Sequence, residues 1–262
     1  MMNTAYATRE PSDGAGPNRV PEATAGFWLI KLTAVTMRET AADFLAMNLG
    51  LGLGPTTVLM TAVLVVVMVW QFGQRRYVPT VYWAAVVMIS IVGTLITDNM
   101  TDALGIPLLA STIGFGLALA ATFAIWFRSE RTLSIHEVVT FRREAFYWLA
   151  ILLTFALGTA MGDLLAEAFG AGFAATGILF GLIIAALAFG YFALGLDGIL
   201  AFWLCYIFTR PLGASFGDFL SQPVEYGGLG LSTVVTSLAF LAVLVVVVGI
   251  MTLQRRAHAA HG

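Results

Sequence analysis

Apolar residues in this chain come in long runs, and the runs are of two alternating kinds. Four of them, at about 56–72, 108–127, 173–194 and 231–253, are 17 to 23 residues long and hold no charged residue. The other four begin at an aromatic–Trp pair: Phe27-Trp28, Tyr82-Trp83, Tyr147-Trp148 and Phe202-Trp203. Each of these carries an aspartate fifteen residues after the Trp, at Asp43, Asp98, Asp163 and Asp218. Continuous apolar runs of this length predict helices that cross a hydrocarbon core of roughly 30 Å, whereas barrel strands are about 10 residues and alternate. A short Gly- or Pro-bearing break joins each acidic run to the charge-free run after it: Gly50 to Pro55, Gly105 to Pro107, Gly170 to Gly172 and Gly227 to Gly230. The expected fold is therefore all-α and membrane-integral. It has eight transmembrane helices arranged as four parallel-oriented helical hairpin repeats, over about 27–76, 77–131, 145–196 and 197–254.

Charge sharpens the layering. Only 11% of the 262 residues are charged and 59% are hydrophobic; soluble domains carry about 25% charge. The intramembrane charge falls on the first helix of each repeat, and charged groups avoid lipid. The acidic first helices are expected in the centre and the apolar second helices at the periphery. Ten of the thirteen Lys and Arg lie in the tails or between hairpins, which places both termini on the cytoplasmic side. Residues 1–26, rich in Pro, Gly and charge, read as a disordered cytoplasmic tail, and 255–262 as a second tail. Residues 27–254 form the membrane domain. The lone Cys205 excludes an internal disulfide, and no basic cluster points to nucleic acid. The Trp residues read as anchors at the membrane–water interface.

Positions four apart share a helix face. That puts Thr94, Asp98 and Asp102 on one stripe, and Thr159, Asp163 and Glu167 on another. The corresponding stripe is Ala214, Asp218 and Gln222 in the fourth repeat, and Glu39, Asp43 and Met47 in the first. Glycine recurs five residues before the aspartate, at Gly93, Gly158 and Gly213, where small residues allow close helix approach. The first repeat has Arg38 there. Arg38 and Arg210 are the expected charge partners of the acids, with Glu39 the candidate for Arg210. Pro211 is expected to kink or break its helix. A capping box at Ser134 to Glu137 suggests a short helix joining the two halves.

The segments from Phe146 to Trp148, Thr154 to Asp163, Phe202-Trp203, Thr209 to Asp218 and Gly227 to Gly230 resemble a bacterial family often labelled membrane-anchored protein. It is built from four tandem two-helix repeats of unknown function. The resemblance covers about residues 27–254. It implies the fold and a bacterial inner-membrane setting, and it implies no activity.

The functional expectation comes from the carboxylates. Acids clustered in low dielectric need counter-charge, from a bound cation or shared protons. Oxygen-only ligands suit hard ions such as Mg²⁺, Mn²⁺ or Ca²⁺. The leading expectation is a transporter or channel for a small cation, a divalent metal ion by preference. Efflux is slightly preferred to uptake, and the same acids allow proton coupling and leave room for an oligomer. The pathway is expected at Glu39, Asp43, Thr94, Asp98, Asp102, Thr159, Asp163, Glu167 and Asp218. Within it, Asp43, Asp98, Asp163 and Asp218 are the metal ligands. No catalytic residue is assigned. The alternatives are a non-transporting scaffold that binds a partner, or an intramembrane enzyme using paired aspartates.

Overall fold

The computed structural model describes residues 17–43, 52–231 and 233–261. Among these it is all-helical, with eight α-helices and no strand. They are α1 (Ala25–Asp43), α2 (Leu53–Phe72), α3 (Pro79–Asp98), α4 (Leu108–Glu130), α5 (Phe141–Asp163), α6 (Gly172–Leu194), α7 (Gly198–Ser221) and α8 (Thr233–His261). Seven are long and apolar enough to cross a membrane; α1 contributes a shorter apolar stretch, Ala25–Thr36, among the described residues.

The odd-numbered helices start with firm local signals. Thr24 Oγ1 accepts from Phe27 N, Thr140 caps α5, Asp197 caps α7, and Pro79 opens α3. Side-chain caps satisfy backbone N–H groups that a helix start leaves orphaned, and Pro fits the first turn.

Helices α1, α3, α5 and α7 pack in a closed ring, α1 on α3, α3 on α5, α5 on α7 and α7 on α1. The even-numbered helices lie outside. In α3, 72% of the most apolar window is buried, against 11% in α2 and α6. Each outer helix seats mainly on the first helix of the following repeat. Thus α2 packs on α3, α4 on α5, α6 on α7, and α8 closes back on α1.

Several local expectations are corrected. Residues 18–21 are held against the rest of the protein: Val20 and Pro21 are buried, Asn18 Nδ2 donates to Ile135 O, and Tyr77 N donates to Asn18 O. Helix α7 runs unbroken through Pro211. The short helix expected between the halves does form, as a single 3-10 turn, Ile135–Glu137, with Ser134 at its start accepting from His136 N.

Candidate functional site

The ring of inner helices is best described in layers along its axis. At one end sit the first members of the four aromatic–Trp pairs, all buried. Each ring packs on the Trp of the next repeat: Phe27 on Trp83 at 5.5 Å, Tyr82 on Trp148 at 5.3 Å, Tyr147 on Trp203 at 6.1 Å, and Phe202 on Trp28 at 5.6 Å. The tyrosine hydroxyls of Tyr82 and Tyr147 share a hydrogen bond of 2.5 Å. Trp83, Trp148 and Trp203 are therefore interior latches between repeats, not the interfacial anchors expected. Indole is amphipathic, so its place at an interface or in a core depends on neighbours that one helix does not reveal.

Beside this layer Glu144 is fully buried. Its carboxylate accepts from Arg19 Nη1 at 2.6 Å, Gln71 Nε2 at 2.9 Å and Trp148 Nε1 at 3.3 Å. A buried carboxylate is tolerated when ionic and hydrogen-bond partners replace water. The contact pins the segment before α1 onto α2 and α5.

One turn further along, Lys31 of α1 is wholly buried. Its Nζ donates to the Tyr206 carbonyl at 2.6 Å and stands 3.7 Å from the centre of the Tyr206 ring. Lys31 and Tyr206 occupy the same position in their repeats, twelve residues before the aspartate.

The next layer holds Arg210, 1% exposed. Its Nη2 donates to Thr94 Oγ1 and Thr159 Oγ1, both at 2.8 Å, and those hydroxyls are 3.4 Å apart. The guanidinium carbon lies 5.7 Å from the centre of the Phe155 ring. Among the described residues, Nε and Nη1 are buried without a hydrogen-bond partner, and so is the nearby-register Ser90 Oγ. The acid expected to pair with Arg210 is replaced by two hydroxyls among the described residues; the side chain of Glu39 lies outside them. Arginine stays charged under all ordinary conditions, so this is a fixed positive charge inside the ring.

Glycine makes the layer possible. A Cβ on Gly93 would sit 2.9 Å from Phe155 Cβ, one on Gly158 would strike the Arg210 stem, and one on Gly213 would strike Val35. Each recurrent glycine thus faces the residue eight before the aspartate in the next repeat. The Arg38 side chain, which stands in the glycine's place in the first repeat, is outside the described residues.

The acids form the far layer. Asp98, Asp163 and Asp218 are half-buried, and none of them is without a partner. The Asp43 side chain is outside the described residues. Asp102 and Glu167 are exposed. Both lie on π-helical turns, Asn99–Ala103 and Leu164–Ala168, that extend α3 and α5. A π-turn bonds i to i+5 and rotates later residues off the α-helical face, which spacing alone did not reveal. No group of three or more His, Cys, Asp and Glu placed to hold a metal ion occurs among the described residues.

The chain matches the DUF347 profile, described as a repeat of unknown function, four times, over residues 26–77, 81–132, 146–195 and 201–257. No curated protein and no solved structure matches it.

Proposed function

The chain belongs to the DUF347 repeat family, and from that premise we propose that it is a membrane carrier for a small cation, with a divalent metal ion preferred. In this reading all eight helices span a bacterial inner membrane as four hairpins of one orientation, with both termini cytoplasmic. The observation that carries it is the confinement of charge: Lys31 and Arg210 are buried inside the ring, and the apolar cores of the outer helices hold none. Ionisable groups directed into a bundle mark ion paths and proton relays.

Asp98, Asp163 and Asp218, with Asp43, supply anionic oxygen at the outer end of the ring, and Asp102 and Glu167 add negative charge at its mouth. Carboxylates gathered at one end of a bundle raise the local cation concentration, and hard divalent ions take oxygen ligands of this kind. The resident cations favour a carrier over an open channel. A second unit charge 4 Å from Arg210 would cost about 4 kcal/mol at an effective dielectric near 20. Passage then requires a rearrangement in which the acids exchange the ion for a proton or for Arg210 itself.

A second reading, transport of a small anion, is favoured by Nε and Nη1 of Arg210, which find no partner among the described residues. A scaffold without transport makes the opposite forecast to both. Reconstituted vesicles with an interior metal-sensitive dye separate them. Flux of Mn²⁺, Mg²⁺ or Ca²⁺ should fall at least tenfold in the Asp163→Asn/Asp218→Asn variant. Equal flux in wild type and variant, with or without a pH gradient, would end the cation reading. Anion flux lost in Arg210→Ala would replace it with the second. For topology, a reporter fused after Arg76 should score cytoplasmic and one near Asn48 external.

A further inference from the structure

We propose that the groove between α4 and α7 binds one phospholipid whose headgroup carries a phosphate and a primary ammonium. The inference does not depend on what crosses the ring. The groove has a volume of about 610 Å³. It is lined by Ala120 and Phe123 of α4, Trp203 and Ile207 of α7 and Leu157 of α5, and the Phe123 and Trp203 rings meet edge-on at 4.8 Å.

Two small residues open it. Gly116 and Ala120 are four apart and so share a face of α4. Unlike Gly93, Gly158 and Gly213, Gly116 is not held small by a neighbour. A Cβ there would meet only Leu157 Cδ1, at 3.9 Å. The space beside it belongs to an occupant, not to a helix contact.

The shape fits one acyl chain. From Gly116 to Phe127 the groove follows α4 for ~17 Å at 1.5 Å per residue. Half of a hydrocarbon core of roughly 30 Å is ~15 Å, the reach of a lipid in one leaflet. Polar lining occurs at one end only, from Arg131, Thr132 and Asp197. That is the end bearing the arginine-rich connection between α4 and α5.

Those end groups are complementary to a zwitterion. Arg131 has no ion pair among the described residues, while Arg142 and Arg143 of the same connection pair with Glu130 and Glu137. Arg131 also closes α4 in the left-handed conformation, at φ 59°, where the third repeat closes α6 with Gly195 at φ 74°. An L-residue adopts that conformation at a cost that glycine avoids. Keeping arginine there sets a guanidinium at the mouth of the groove, where it can take a phosphate. Asp197 Oδ1 accepts from Leu200 N at 2.9 Å, which fixes its carboxylate beside the same mouth for an ammonium.

The test uses the full-length protein in nanodiscs holding equal phosphatidylethanolamine, phosphatidylcholine and phosphatidylglycerol, with retained lipid read by native mass spectrometry. Wild type should retain one phosphatidylethanolamine at least fivefold over the other two. Ala120→Phe, at an exposed position, and Gly116→Leu should each abolish retention at unchanged helicity and Tm. Arg131→Gln should reduce retention of phosphatidylethanolamine and phosphatidylcholine alike. Asp197→Asn, which keeps the helix cap, should remove only the preference for ethanolamine over choline, since choline has no N–H to donate. Retention unchanged in both groove-filling variants, or independent of headgroup in wild type, would mean annular lipid only and overturn the proposal. Preferential retention of phosphatidylglycerol would overturn it too.

Discussion

Gly158 lies directly against the stem of Arg210, so close that a methyl group on the glycine would stand 2.6 Å from the arginine's Cβ and closer still to its Cγ. The glycine of one repeat thereby admits the charged side chain of the next. It also decides where that charge stands, under the hydroxyls of Thr94 and Thr159.

Gly158→Ala should therefore destabilise by about 1–3 kcal/mol, the usual cost of overpacking. Gly162→Ala, whose Cβ would stand 3.4 Å from Pro211 Cβ, should cost less. Thermal unfolding in detergent checks the order. The Gly158→Ala/Arg210→Ala double variant should be more stable than the sum of the two single changes, because the pair shares one space. Strict additivity would remove the contact from the account.

Lys31→Met should separate stability from activity. Replacing a buried charge with an apolar side chain of similar length is often neutral or stabilising. The expected outcome is a Tm equal to or above wild type with vesicle flux reduced at least fivefold. A fall in both would make Lys31 a structural residue alone.

The tyrosine pair allows a cleaner hydrogen-bond test. Tyr82→Phe leaves the buried Tyr147 hydroxyl without this partner and should cost about 1–3 kcal/mol. Tyr82→Phe/Tyr147→Phe removes both hydroxyls and should be no less stable than the single variant. Tm values of the two proteins, measured side by side, decide it.

Arg19→Ala should release the segment before α1. Amide exchange at residues 17–24 should rise at least tenfold, while α3 and α5 keep their protection. Loss of protection throughout α5 would show instead that Glu144 needs this partner for the fold as a whole.

The repeat number, the helices and the division of charge between them were all legible in the chain. A charge-free run of about twenty residues has few alternatives in lipid, and Lys31 or Arg210 inside an otherwise apolar run must face inward. What escaped were relations between helices. Spacing within one helix says which face is buried, not which neighbour buries it, so the seating of α2 on α3 was invisible. The latch role of Trp83 and Trp148 was hidden for the same reason, although the recurrence of the aromatic–Trp pair was its signal. Asp102 and Glu167 were misplaced on the stripe because a π-turn leaves no mark in spacing. The ordering of Val20 and Pro21 depends on a distant acceptor, Glu144, that local composition does not report.

The seating of α8 on α1 has a consequence for assembly. A chain of only two such repeats would leave its last outer helix without a seat and its first inner helix without a cover. Two copies, each lending the outer helix the other lacks, would close the same ring as a symmetric dimer. The four-repeat chain is in that sense a dimer joined end to end. A single chain leaves its halves free to differ, so an arginine on one side of the ring does not require an arginine on the other.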